Sequence, residues 1–346
     1  MARFLRLAAA AGVLALAACS SSTSAPPNTA ATTQMTTITI GLPTSVTSFA
    51  NADVAVAQAR GFFAAEHLVV NVQNLSSGVP VVQGVVGGHL DIGASSIEPV
   101  VNADVHGANV VIIGSYADRL TVDLVTPAAI TSPAQLRGKR VGIQQVGAFR
   151  EVMTRMVLEQ AGMTQSDVAY IPGSASGYTS ALLQGTIQSA VLQQEQVISA
   201  LKKDSKLHVL VNYSQAFPDY FYGTYVVSKS WLSGHASVAQ RFLTAIVRAH
   251  RFMYSSKAAT VPIVAKATGF SSSIIAKAYD TLLGTEGVFG VNAGLDPTRI
   301  SDTLATMSQY KIVTGTAPAE SSLVDTGPID AVVKQLGAWT GDPRWH

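Results

Sequence analysis

The 346-residue chain is 48% hydrophobic and 13% charged, with a formal net charge of +2. That balance excludes a disordered or collagen-like chain and places large buried cores beneath a lightly charged surface. Loss of Arg3 and Arg6 with an N-terminal leader leaves 21 basic against 21 acidic residues, so nucleic-acid binding lacks its electrostatic support and is not expected.

Arg3 and Arg6 precede an apolar stretch, Leu7 to Ala18, that is too short to span a bilayer as a helix. The run Leu16-Ala17-Ala18-Cys19 closes it and resembles a bacterial lipoprotein cleavage box; Cys19 is the only cysteine in the chain. Residues 1–18 are therefore read as a lipoprotein signal peptide and Cys19 as the lipidated first residue, against the alternative of an ordinary signal peptide with an incidental cysteine. Ser and Thr dominate from Ser20 to Thr37, with Pro26 and Pro27 inside, which makes residues 19–36 a disordered tether. No comparable run of 18 or more apolar residues follows, so the body is expected to be soluble, monomeric, held at a membrane by lipid and placed outside the cytoplasm. With no cysteine left for a disulfide, its stability must come from packing. Roughly 310 residues exceed what one core ordinarily serves, so two domains are expected.

The segment from Thr39 and the segment from Arg140 read alike: a short strand ending in Gly, a loop, a helix, Gly, another strand. Gly41 and Gly61 match Gly142 and Gly162 at an offset of 101, with helices predicted over Asp53 to Ala65 and Phe149 to Ala161. In the second helix Phe149, Val152, Met153, Met156, Val157 and Ala161 form one apolar face at three- and four-residue spacing. Gly88-His89-Leu90-Asp91-Ile92-Gly93 resembles Gly185-Thr186-Ile187-Gln188-Ser189-Ala190 at an offset of 97. The offsets predict two similar α/β lobes, each a sheet with crossover helices, although all βαβ units share this rhythm.

β-Branched content places further strands at Val69 to Val72, Val110 to Ile113, Val122 to Val125, Val209 to Val211 and Tyr222 to Ser228. Helices follow at Val238 to Tyr254, Val261 to Thr268, Ser271 to Leu283 and Pro297 to Tyr310. Lobe I is expected to comprise residues 37–126 and 224–335 and lobe II residues 127–223, joined by a two-strand hinge.

Together with the lipobox and tether, four segments carry a resemblance: Ile38-Thr39-Ile40-Gly41, Ala59-Arg60-Gly61-Phe62-Phe63, Gly87-Gly88-His89-Leu90-Asp91-Ile92-Gly93 and Leu136-Arg137-Gly138-Lys139-Arg140-Val141-Gly142-Ile143. In this order they are similar to the substrate-binding lipoproteins of bacterial ABC importers for aliphatic sulfonates, taurine, nitrate and thiamine precursors, which have the type II periplasmic-binding-protein architecture. The resemblance covers about Thr37 to Gly327. It implies a two-lobed clamp that closes on a small molecule and presents it to a membrane permease driven by its ATPase. It leaves open a sensor lobe and a pyrimidine-precursor-type synthase on the same fold.

In open α/β sheets ligands sit beyond the carboxyl ends of strands, where loops turn into helix N-termini. Four loops meet that description. Thr44 and Ser45 follow the first strand, Ser95 and Ser96 follow Asp91 to Ala94, Gln145, Gly147, Ala148 and Phe149 follow Val141 to Ile143, and Gln193 and Gln194 follow Ala190 to Leu192. Hydroxyls and amides orient a small polar or anionic group, though Ser and Thr there also serve as helix caps. Gly147 permits close backbone approach, and the N–H groups of its loop could hold an oxyanion. Sulfonate and nitrate binders often place Ser or Thr where Ala148 and Phe149 stand, which tilts the expectation toward an apolar or aromatic ligand body stacked on Phe149, Tyr116 or Tyr222. Arg119 suits a carboxylate or sulfonate, or else pairs with Asp118 or Asp123. Glu195 suits an amine or ring N–H donor, or else is a solvated loop acid.

Catalytic and metal signatures are missing from the chain. The seven histidines form no HExxH motif and no close pair, and no cysteine accompanies them. Two SxxK matches, at Ser199 and Ser308, lack companion motifs. The expectation is a non-catalytic receptor without cofactor or metal.

Overall fold

The computed structural model describes residues 34–292 and 294–341, so the leader, Cys19 and most of the tether lie outside the described residues. Among the described residues ten strands form two five-stranded sheets: β1 (Thr36–Leu42), β2 (Leu68–Asn74), β3 (Ile92–Ser96), β4 (Val110–Ala117) and β10 (Gly223–Ser228) in the first, β5 (Val122–Pro127), β6 (Arg140–Ile143), β7 (Ala169–Pro172), β8 (Ser189–Gln193) and β9 (Leu207–Asn212) in the second. The spatial orders are β2-β1-β3-β10-β4 and β7-β6-β8-β5-β9.

These orders superimpose element by element. In each sheet the first strand of the repeat lies parallel between two others, β1 between β2 and β3 and β6 between β7 and β8. The fourth strand in space runs antiparallel to both neighbours: β10 against β3 and β4, β5 against β8 and β9. The antiparallel strand of each sheet is the one that the connecting chain delivers as it passes between lobes.

The glycine landmarks explain why the repeat is visible. A Cβ on Gly41 would lie 2.5 Å from Leu90 Cδ1, and one on Gly142 would lie 2.7 Å from Ile187 Cδ1. Gly61 and Gly162 both take left-handed conformations, φ +71° and +66°, which side-chain-bearing residues adopt at a cost. β3 and β4 are buried along their whole length, as expected of strands covered on both faces, and β4 accordingly opens on the apolar run Val110 to Ile113 rather than alternating.

The crossing from the first to the second sheet lies at residues 118–121, not at the expected boundary between residues 126 and 127. β5 pairs Val122 with Gln193 and Asp123 with Asn212, which takes it into the second sheet. A short β-branched strand carries no mark of which sheet receives it, because its partners lie some seventy or more residues away. The predicted helix over Asp53 to Ala65 is broken by Gly61 into Ala52–Ala59 and Phe62–Ala65. The C-terminal part supplies the helical segment Lys229–Ser255, kinked at His235 (φ −132°) so that its second part is the helix expected over Val238 to Tyr254, then Lys257–Thr268, Ser272–Tyr279 continued by a π-helical turn Asp280–Glu286, and Pro297–Gln309. The helix Ser272–Tyr279 packs on Gln194–Lys203 of the second lobe, so the C-terminal region braces both lobes. Among the described residues no single helix is long and apolar enough to cross a membrane.

Candidate ligand-binding cleft

The carboxyl ends of β1, β3, β6 and β8 face one another across the lobes, and side-chain bonds close the space between them. Gln144 Nε2 donates to Ser76 O at 2.9 Å, Ser77 Oγ to Gln145 Oε1 at 3.2 Å, and the Phe49 amide to Glu195 Oε1 at 3.3 Å. At the hinge Gln193 Nε2 donates to Tyr222 OH at 3.2 Å while its Oε1 accepts from Thr121 Oγ1 at 2.7 Å.

Two connected spaces result. A central slot of about 10 Å³ is lined by Thr44, Ser96, Tyr116, Gln144, Phe149, Arg150, Gln193 and Tyr222. That volume holds about one water molecule. Thr44 and Arg150 also line an adjoining chamber of about 250 Å³, walled by Ser48 of the first lobe, Ser176, Thr179, Glu195 and Gln196 of the second, and Thr268 to Phe270 of the C-terminal region. Thr44 Oγ1 is buried in this region and makes no hydrogen bond. Buried hydroxyls are nearly always bonded, so an unpartnered one on the wall shared by slot and chamber suits a polar guest.

Arg150 dominates the electrostatics. It is the second residue of the helix Phe149–Gln160 and is 2% exposed. One Nη donates to Val191 O and the other to Gln196 Oε1 at 3.2 Å; the guanidinium carbon lies 5.3 Å from the Tyr178 ring centroid. Among the described residues no carboxylate forms an ion pair with it. Burial pulls its pKa down, yet a guanidinium keeps its proton. A cation in the first turn also opposes the helix dipole. Removing an ion from water costs several kcal/mol unless a counter-charge compensates, and this cation has donors left over for one.

Of the predicted site residues, Thr44, Ser96, Tyr116, Phe149, Gln193 and Tyr222 converge on the slot. Ser45 is exposed on the surface. Ser95 turns the other way along β3, bonding Ser96 O and facing Gly78, because successive strand residues point to opposite faces. Gln145 closes the cleft without lining the slot, and Gln194 is held by Asp123 Oδ2 at 2.8 Å. Ala148 is buried as the residue capping the helix. Gly147 lies on an outer groove beside Val146; its φ is +79°, but its N–H donates to Glu151 Oε2 at 2.9 Å and so is taken. Arg119 stands partly exposed at the hinge, 3.9 Å from Asp118, which is the ion-pair alternative.

The aromatic platform also differs from expectation. Phe149 packs on Tyr222 with centroids 4.3 Å apart, and Tyr116 meets Tyr222 edge-on at 5.5 Å. These rings occupy one another rather than offering a face to a ligand. Sequence reasoning missed Arg150 entirely; the signal was a cation placed where helix dipole and apolar neighbours both disfavour one. Glu195 is no solvated acid, being 1% exposed, with burial pushing its pKa up against the lowering effect of its backbone donors and of Arg150.

A family model described as NMT1/THI5 like matches residues 48–259. The chain belongs to the NMT1/THI5-like family. Solved structures agree on the fold. The alkanesulfonate-binding protein SsuA from Xanthomonas axonopodis pv. citri, bound to MOPS, is 16% identical with a TM-score of 0.69 over 85% of this chain and 99% of its own. The periplasmic nitrate-binding protein NrtA from Synechocystis PCC 6803 is 12% identical, TM-score 0.71, over 88% and 89%. The ligand-binding component of an ABC-type import system from Staphylococcus aureus, with zinc bound, is 14% identical, TM-score 0.71, over 86% and 99%. No curated protein sequence matches significantly. The architecture is thus the periplasmic-binding-protein fold. Among the described residues no group of three His, Cys, Asp or Glu could hold a metal ion, so the zinc of the Staphylococcus protein has no counterpart cluster there.

Proposed function

We propose that this protein is an extracytoplasmic solute-binding lipoprotein of an ABC-type importer, tethered through lipid on Cys19. It captures a small organic solute bearing an oxyanion between its lobes and delivers it to a permease and its ATPase without chemical change. The observation that carries the reading is Arg150: a buried, unpaired guanidinium beside the unpartnered Thr44 hydroxyl, at the point where slot and chamber meet. An oxyanion there satisfies both groups at once, with the head of the helix Phe149–Gln160 adding its dipole. The closing bonds from Gln144, Ser77 and Phe49 are the kind that form when two lobes shut on a guest. Neither slot nor chamber is lined by a histidine or cysteine, which supports a binding role over acyl or hydrolytic chemistry.

Thermal unfolding of the protein against alkanesulfonates, carboxylates, nitrate, taurine, riboflavin and pyrimidines tests this. A solute at 100 times its dissociation constant stabilises by about 2.7 kcal/mol. Stabilisation by an oxyanion-bearing solute, recovered unchanged after prolonged incubation, is the expected result; conversion of that solute would refute the non-catalytic role.

A further inference from the structure

Glu286 ends the π-helical turn Asp280–Glu286, and Ser214 follows β9 of the second sheet. Ser214 Oγ stands 2.8 Å from Glu286 Oε1 and 2.8 Å from Asn212 Oδ1. We propose that Glu286 is a proton-operated latch: protonated, it donates to Ser214 and holds the two lobes in the shut arrangement described above; ionised, it releases them. The proposal goes beyond the receptor reading and stands whichever solute the cleft takes.

A count of protons carries the argument. The Asn212 amide is fixed in orientation, because its Nδ2 donates to Asp123 Oδ1 at 2.8 Å and its Oδ1 accepts from the Gln215 amide at 2.9 Å. That oxygen can only accept from Ser214, and a hydroxyl has one proton to give. With the proton committed to Asn212, the short contact to Glu286 needs a second one, and the carboxyl group is the place for it. Asp123 is the ionised member of the pair, since Gln194 Nε2 and Asn212 Nδ2 donate to its two oxygens. Two carboxyl groups sharing one buried site do not both ionise readily. Burial raises the Glu286 pKa to about 7; Ser214 and Asn212 offset part of the rise and the charge of Asp123 adds to it. Asp123 itself lies lower, at about 6, because its two amide donors favour the charged form. The nearby Asp118 faces Arg119, Arg299 and His250, which compensate its charge.

The bond spans the seam between the lobes. β9 pairs with β5 at the edge of the second sheet. Two residues beyond Glu286, Val288 O accepts from the Asp118 amide at 3.0 Å, and Phe289 then packs on Phe49 of the first lobe. A bond from Glu286 to Ser214 therefore ties the second sheet to chain anchored in the first, beside the crossing at residues 118–121, and rotation of the lobes about that crossing strains it. Because the folded pKa is raised, the folded protein retains this proton up to about pH 7: the latch is made below that pH and lost above it.

Hydrogen–deuterium exchange of the solute-free protein, corrected for the intrinsic pH dependence of amide exchange, reads opening at the cleft loops, residues 44–51 and 144–149. Between pH 6 and pH 8 the protonated fraction of a group titrating near 7 falls from about 90% to about 10%, and protection of these loops is expected to fall at least threefold. Glu286→Gln, whose amide donates to Ser214 at every pH, is expected to keep the pH 6 protection at pH 8. Ser214→Ala is expected to show the lower protection already at pH 6. Infrared difference spectra of the parent against Glu286→Gln at pH 6 are expected to carry the carbonyl stretch of a protonated carboxyl group. Protection indifferent to pH in the parent, a pH response that persists in Glu286→Gln, or absence of that carbonyl band would each overturn the latch.

Discussion

Phe49 and Arg150 occupy equivalent places in the two lobes, 101 residues apart, at the start of the helical segment that follows the first strand of each sheet. Phe49 is buried against Phe289, so the first lobe uses the position to pack its core. Arg150 is buried without a counter-charge, so the second lobe uses it to present one. Glu98 and Glu195 form a second equivalent pair, 97 residues apart. Tyr220 OH donates to Glu98 at 2.7 Å, a side-chain partner, whereas Glu195 accepts the Phe49 amide of the other lobe at 3.3 Å. One duplicated frame thus places a packing ring in one lobe and a buried cation in the other at the same position, and the lobe that holds the cation is the one that reads the ligand's charge.

The sharpest way to break this comparison is to make the second lobe resemble the first at its charged position. Arg150→Met should reduce oxyanion affinity about 30-fold or more, since removing one member of a buried charge pair costs about 2–5 kcal/mol. In the absence of solute the same variant should unfold within about 1 kcal/mol of the parent or above it, because a buried uncompensated cation is lost. Titration calorimetry and denaturant unfolding check the two halves, and a large destabilisation would show Arg150 to be a structural group like Phe49.

Gly41→Ala and Gly142→Ala test the shared frame. Each new methyl would sit 2.5–2.7 Å from the Leu90 or Ile187 side chain, so each should destabilise by roughly 1–3 kcal/mol in urea unfolding. Ile187→Val combined with Gly142→Ala should recover part of the loss. An unequal response of the two lobes would show that their frames have diverged as their surfaces have.

Thr44→Val removes the unpartnered hydroxyl that lines slot and chamber together with Arg150. The expected outcome is affinity lower by about 1–2 kcal/mol, with stability unchanged or slightly raised because a buried unpartnered hydroxyl disappears.

The smallest effect belongs to the hinge that joins the lobes. Burial raises Asp118 and Asp123 to about 6 and Glu286 to about 7. Arg119, Arg299 and His250 oppose the shift at Asp118; Gln194 and Asn212 oppose it at Asp123; Ser214 opposes it at Glu286, where Asp123 adds to it. Groups whose folded pKa exceeds the unfolded value hold protons more tightly when folded, so they favour the native state at acid pH, and stability declines as pH rises from about 4 to 7. The melting temperature should therefore fall by roughly 2–4 °C between pH 5 and pH 8, and Glu286→Gln should flatten the slope.

The frame was legible because its demands are local. Gly61 and Gly162 need left-handed backbone, Gly41 and Gly142 lie under a large side chain, and the apolar face from Phe149 repeats at helical spacing. β5 was placed in the wrong sheet because strand pairing is decided by distant partners that a short apolar run does not encode. In the cleft, alternation along β3 separates Ser96 from Ser95, a distinction that depends on knowing the strand's register. Gly147 misled because Glu151, four residues on, reaches back to its N–H. Arg150 was invisible to a reading that expects arginine in water, although its place in the first helical turn was itself the anomaly.

Native mass spectrometry of the protein purified under mild conditions from cells that make it tests the central claim most directly. The account predicts one small solute bearing an oxyanion, bound one to one in the parent and absent from Arg150→Met. A solute retained equally by both, or one without any oxyanion, would contradict it.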